Sequence, residues 1–261
     1  MKRLTVAVSI TFLLALGTGC GDSATAITGT LPVVTGITVD TVASKGDTIV
    51  VMWTPLDTTL VEGYFLWTRP GIEGPWSLAA VSSGNAAMHI ADQAAYYTVM
   101  AYNGDDTSIE TGLTDNTKTE GLLEIRQVFG GKAVGFRVDT EGDSLIYGDP
   151  ADPSFSQQFV VAMTFTLDRF IFPGNARPEQ WPGGARTRIS DSSGLVAPAP
   201  DDTIRWDDSI LYGGNFFLAL EDNYYCLLDG SQTLPDTVTM TDTLVIDGQI
   251  QPIQGVRVFN Q

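Results

Sequence analysis

Five arginines fall within 37 consecutive residues, Arg169, Arg177, Arg186, Arg188 and Arg205, and Trp181 and Trp206 lie in the same region. A guanidinium fork can hold a carboxylate, sulfate or phosphate in bidentate geometry, and an exposed indole can stack on a sugar face. Their crowding inverts the local charge, because the chain carries 14 Lys and Arg against 31 Asp and Glu, a formal net charge of −17. Arg177, Trp181, Arg186, Arg188, Arg205 and Trp206 are therefore candidate residues for binding an acidic glycan or another anionic ligand. The competing reading pairs these arginines with nearby acids such as Glu179, Asp191 and Asp201 and places the tryptophans in a core.

Other chemistry is sparse, and no residue is assigned a catalytic role. The single histidine, His89 in "AAMHIA", rules out a histidine-cluster metal site and reads as a strand residue. The chain holds no G-x-S-x-G elbow, no phosphate-cradling G-x-x-x-x-G-K-[ST] loop and no C-x-x-C pair. Glycines and Lys132 in "VFGGKAVGF" fit a hairpin turn. Cys226 in "DNYYCLLDG" reads as a small buried apolar residue, with a bridge to Cys20 as the alternative. A carboxylate pair for polysaccharide cleavage needs only two acids at suitable separation, which a chain with 31 acids can supply. The acid-rich stretches "DTEGDS", "GDPADPS" and "RWDDS" offer oxygen ligands for calcium but match no twelve-residue calcium loop, and solvated turns explain them. No metal site and no cofactor is assigned.

These residues must be carried on strands. From Leu31 to Thr114, short β-prone runs alternate with turn residues: "TGITVD", "TIVVMW", "EGYFLWT", "WSLAAV", "AAMHIA", "AYYTVMAY" and "TSIETGL". That spacing predicts an antiparallel sandwich. With Pro32, Trp53, Pro55, Tyr64 and the series Tyr97, Val99, Ala101, Asn103, residues 31–114 resemble a fibronectin type III domain. The resemblance implies that Trp53 fills the core between two sheets and that "YTVMAYN" is strand F. Ala95 stands where many members have a tyrosine, so the hydrogen bond made by that tyrosine at the E–F corner is expected to be missing.

A polar linker is expected over 115–120, and residues 121–261 read as a second all-β domain, a sandwich or a barrel, of no recognised family. Its strand-like runs include "LLEIRQVF", "KAVGFRVD", "SLIYG", "ILYGGNFFLALED", "NYYCLLDG", "DTVTM", "TLVIDG" and "GVRVFN". "FVVAMTFTLDRFIF", Phe159 to Phe172, is expected to be one long central strand bent at Asp168. The proline- and glycine-rich stretch from Pro173 to Asp202 predicts long loops around one short strand at "RTRIS".

The N-terminus supplies an address. Lys2 and Arg3 precede a short apolar run ending in "LGTGC", the layout of an export signal, too short to span a bilayer as a helix. The junction at Cys20 resembles the lipobox of bacterial lipoproteins, although Gly17 stands where the family has leucine. The resemblance implies a signal peptide over 1–19, lipid on Cys20, and a tether over 20–30 to the first domain. Gly21 after the cysteine implies outer-membrane or cell-surface placement; a soluble secreted protein is the alternative. The acidic balance argues against nucleic acid as a partner. Three functions remain open: a non-catalytic envelope lipoprotein with an adhesion or spacer module and a C-terminal ligand-binding domain, a polysaccharide-acting enzyme, or a structural component that assembles with itself or an envelope protein.

Overall fold

The computed structural model describes residues 31–111, 115–129, 133–139, 144–163, 169–191, 193–202, 205–232 and 242–260. The leader, Cys20 and the tether lie outside the described residues, as does "DTVTM". The protein is entirely β, built from several antiparallel sheets that form sandwich-like domains, with no helix among the described residues.

The N-terminal sandwich contains β1 (Thr35–Val39), β2 (Thr48–Thr54), β3 (Gly63–Arg69), β4 (Ser77–Ser82), β5 (Ala86–Ile90), β6 (Tyr96–Asn103), β7 (Asp106–Thr107) and β8 (Asp115–Asn116). One sheet has the order β1-β2-β5; the other runs β4-β3-β6-β7, with β8 also pairing β6. Strand alternation sets the interior: Ile49, Val51 and Trp53 of β2 face Tyr97, Val99 and Ala101 of β6, all buried. Trp53 packs 5.2 Å from the Tyr64 ring, and the Tyr64 hydroxyl accepts a 2.8 Å hydrogen bond from the Leu56 amide. At Ala95 another residue ties the corner: the Ala95 amide donates to Thr117 Oγ1 at 3.1 Å, and the Thr117 amide donates to the Ala95 carbonyl at 2.9 Å.

The C-terminal sandwich contains β9 (Glu120–Phe129), β10 (Val134–Asp139), β11 (Ser144–Gly148), β12 (Phe159–Met163), β13 (Arg169–Pro173), β14 (Arg188–Ser190), β15 (Ile210–Leu211), β16 (Gly214–Ala219), β17 (Tyr225–Gln232) and β18 (Asp242–Ile250). Its sheets run β11-β10-β12-β13-β15 and β14-β16-β17-β18-β9. Phe136, Phe159, Ile171, Phe216, Leu228 and Ile246 meet between them in one buried core. The expected long strand from Phe159 to Phe172 is instead two antiparallel strands, β12 and β13, with Val161 opposite Ile171. A continuous strand of that length would extend about 46 Å, far past the six-residue β10 beside it, whereas the fold-back pairs both halves in one sheet.

Both sheets of this sandwich are also covered outside, which explains the unbroken apolar runs "NFFLAL" and "YYCLL". Phe217, Ala219, Tyr225 and Leu227 are covered by Ala197 and Phe259, with Leu195 and Trp206 packed alongside. On the other sheet, Trp181 covers Val160 and Phe172. The long proline-rich segment is thus two apolar lids with β14 between them.

"GVRVFN" forms only isolated bridges rather than a strand, because its valines enter the other sandwich. Val256 and Val258, fully buried, belong to the same core as Ile49, Trp53 and Val99. The Gly46 amide donates to the Gly255 carbonyl at 2.7 Å, and the Arg257 amide donates to the Gly46 carbonyl at 2.8 Å. Gly46 has φ +67° and lies against the Arg257 guanidinium, so a side chain there is both strained and crowded. Gln251, also buried, donates from Nε2 to the Thr117 carbonyl at 3.2 Å and to the Val258 carbonyl at 2.6 Å. Val256 and Val258 therefore join the core of the N-terminal sandwich and tie the two sandwiches together.

Candidate functional site: a groove between two lids

The first lid begins where β13 ends. The amides of Gln180 and Trp181 both donate to the Arg177 carbonyl, at 3.0 and 2.8 Å, and the Ala185 amide donates to the Gln157 carbonyl at 2.8 Å. The loop closes by bringing Gly184 onto the Gly174 carbonyl so closely that a Cβ at Gly184 would overlap it. This closure seats the Trp181 indole on the sheet, and Arg177 lies over the resulting aromatic shelf, 4.6 Å from the Phe172 ring centre and 5.5 Å from that of Trp181. A guanidinium stacked in this way keeps its N–H edges for other partners.

The second lid is fixed by three donors. Arg188 donates from Nη1 to the Pro200 carbonyl, Trp206 from Nε1 to the Ala199 carbonyl at 2.8 Å, and Arg257 from Nη1 to the Ala197 carbonyl. Arg188 points away from the core because its strand neighbour Ile189 is fully buried, and strand side chains alternate. Since Arg257 is also held by Gly46, this lid leans on the N-terminal sandwich.

Between the lids lie two cavities of about 690 and 430 Å³. The larger is lined by Phe172, Arg177, Arg188, Trp206, Asp207 and Asp208 among others; the smaller by Arg186, Arg188, Glu221 and Tyr225. Asn175, Thr187, Arg188 and Pro200 line both, so the cavities are compartments of one groove crossing β14. Arg177, Arg186 and Arg188 form no ion pair with the described residues. Burial pushes the Asp207 carboxyl up from its ordinary value, as do the neighbouring Asp191 and Asp208 carboxylates, against a hydrogen bond from the Asp191 amide.

The sequence candidates separate accordingly. Arg177, Arg186, Arg188 and Trp206 come together on the groove. Trp181 is core and acts on the groove only by supporting Arg177. Arg205 turns outward and pairs with Asp202 at 3.4 Å, and Arg169, at the start of β13, lines neither compartment. Asn175, Thr187, Asp207, Asp208 and Glu221 also line the groove; of these, only Asp207 and Asp208 lie in an acid-rich stretch of the sequence, "RWDDS".

The remaining sites are structural in their contacts. His89 on β5 is hydrogen-bonded through Nδ1 to the Tyr97 hydroxyl at 3.1 Å, and burial holds its imidazole below the ordinary value, with Asp92 opposing. Cys226 is a free, fully buried thiol, and burial pushes its ionisation far upward. Asp149 and Asp152 accept bonds from Ala151 and Ser154 in local turns. Among the described residues no three His, Cys, Asp or Glu side chains converge as metal ligands.

The architecture is an all-β, multi-sheet fold broadly consistent with the fibronectin type III-like sandwich superfamily. No protein-family profile matches the chain, and no curated protein matches it. Among solved structures, the titin kinase with its flanking domains aligns at 11% identity and a TM-score of 0.30, over 83% of this chain and 37% of that one. A marsupial T cell receptor aligns at 8% and 0.21, over 83% of this chain and 90% of that one. A cycloalternan-degrading enzyme from Trueperella pyogenes aligns at 11% and 0.18, over 82% and 30%. At these values the similarities carry no argument about activity.

Proposed function

We propose that this protein is a non-catalytic lipoprotein of the cell envelope that binds an anionic ligand, glycans included, in the groove of its C-terminal sandwich. In this reading lipid on Cys20 holds the chain at a membrane surface, residues 20–30 tether it, and the N-terminal sandwich serves as spacer and adhesion unit. One observation carries the binding role. In a chain of net charge −17, Arg177, Arg186 and Arg188 border one groove without a carboxylate partner among the described residues. A guanidinium that no carboxylate engages keeps its donors for an arriving anion, which it can hold in bidentate geometry. The aromatic shelf under Arg177 limits the side-chain freedom that binding would otherwise remove.

The test is a screen of the full chain against acidic and neutral polysaccharides, with Arg177→Ala and Arg186→Ala alongside and reducing-sugar release followed in the same wells. Binding without release, weakened by both substitutions, is the expected result; silence in both channels contradicts the reading. The anchor has its own test. Chain extracted from membranes and denatured should titrate as one thiol, Cys226, and two thiols would exclude lipid on Cys20.

Two specific observations favour the other readings. The raised Asp207 carboxyl, close to Asp191 and Asp208 on the groove, suits a general acid beside an ionised partner. Sugar release abolished by Asp207→Asn would establish the enzyme instead. The β4 and β5 edges lie in the uncharged run from Gly74 to Ala91 and expose Leu78, Val81, Met88 and Ile90. In so acidic a chain, that is where a second copy can approach with least repulsion and add strand to strand. A concentration-dependent dimer lost in Met88→Lys would support this assembly.

A further inference from the structure

The groove is narrower in chemistry than an anion trap, and its two compartments constrain the ligand. In the larger, Arg177 and Arg188 are matched by Asp207 and Asp208; in the smaller, Arg186 and Arg188 stand with Glu221. None of the three arginines closes onto these acids as an ion pair. The lining is therefore close to neutral in sum but divided into separate cationic and anionic points. A densely charged polyanion would meet three carboxylates along such a path. A small anion would use one guanidinium and leave the others as they are.

The complement of this lining is a chain that alternates sparse negative charge with many hydroxyl donors and presents apolar ring faces. We infer that the groove takes an acidic polysaccharide segment bearing about one anionic group per sugar, laid across β14 through both compartments. This inference rests on the anionic-ligand reading above. Guanidinium groups of Arg177 and Arg186 receive anionic groups in successive compartments, and Arg188 stands between them. Sugar hydroxyls donate to Asp207, Asp208 and Glu221, which accept such bonds while ionised. The exposed ring of Pro200 and the half-buried ring of Trp206 supply apolar contact for the C–H sides of the sugars. Each compartment falls within the size range of ligand pockets, about 300–1,000 Å³, and their shared residues leave the path between them continuous.

Calorimetry of the full chain tests this with four probes: galacturonic acid, its hexamer, a sulfated hexasaccharide and inorganic polyphosphate. The expected result is a hexamer at least tenfold tighter than the monomer, with polyphosphate weaker than the tighter-binding hexasaccharide. The two hexasaccharides separate carboxylate from sulfate as the anionic group, and either one binding in this pattern supports the inference. Arg177→Gln and Arg186→Gln should each weaken the preferred hexamer about tenfold, because each removes the anchor of one compartment, while both variants keep the wild-type melting temperature. Equal affinity for monomer and hexamer would overturn the chain-spanning inference and leave single-anion binding standing. Polyphosphate binding more tightly than both hexasaccharides would overturn the glycan class. No binding of any of the four would overturn the groove reading itself, and this inference with it.

Discussion

Val258→Ala is the sharpest probe of how the molecule is held together. Val258 comes from the C-terminal tail, yet it is fully buried in the N-terminal core beside Ile49 and Val99. Removing its two methyl groups loses about 1.6 kcal/mol of transfer free energy at ~0.8 kcal/mol each. Partial collapse around the gap adds about 1 kcal/mol. The sum, about 2–3 kcal/mol, should lower the melting temperature by about 4–12 °C for a chain of this size. Two probes report on the two sandwiches. Three of the five tryptophans, Trp53, Trp67 and Trp76, lie in the N-terminal sandwich, while Cys226 becomes reactive to thiol reagents only when the C-terminal core opens. If the tail couples the cores, both transitions move down together. A C-terminal thiol released at the wild-type temperature, with only the fluorescence transition shifted, would refute the shared-core reasoning.

Other consequences follow from single contacts. Gly184→Ala forces the first lid off the Gly174 carbonyl, so anionic-ligand affinity should fall at least tenfold, checked by calorimetry, while far-UV circular dichroism keeps its β signature. Tyr64→Phe removes the acceptor for the Leu56 amide and should cost about 1–2 kcal/mol in a urea melt. His89 is the only histidine, and burial holds its folded value below the unfolded one of about 6.5. The unfolded chain therefore binds the extra proton first, so stability should fall as pH drops through about 6.5, and His89→Gln should flatten that slope. In the native state Cys226 should resist alkylation at pH 8, because burial keeps its thiol protonated; rapid labelling in intact protein would contradict this.

Strand content was legible because alternation is a local signal. "TIVVMW" buries every second side chain, and the Tyr97–Val99–Ala101 series lies on a strand that buries those three side chains. Pairing was not legible where the choice lies between distant partners. Nothing in "FVVAMTFTLDRFIF" tells a bent strand from a hairpin, since the same β-prone residues suit either. Nothing in "GVRVFN" says which core its valines enter. The same limit applied to the groove. Arg177, Arg186, Arg188 and Trp206 stood out because they are close in sequence, but Glu221 reaches the groove only through the pairing of β14 with β16. Trp181 and Arg205 belonged to the same sequence cluster, and only packing separated the buried ring and the outward guanidinium from the lining. Thr117 could not be foreseen as the substitute at the Ala95 corner, because it lies 22 residues away.

An anionic glycan seated between the two lids would leave a local footprint on the backbone. Hydrogen–deuterium exchange of the full chain, with and without the galacturonate hexamer, tests that placement most directly. Slowed exchange is expected in residues 174–188, 197–202 and 205–208, with the uncharged edge at 76–91 unchanged. Protection confined to that edge, or absent from both lids under saturating ligand, would contradict it.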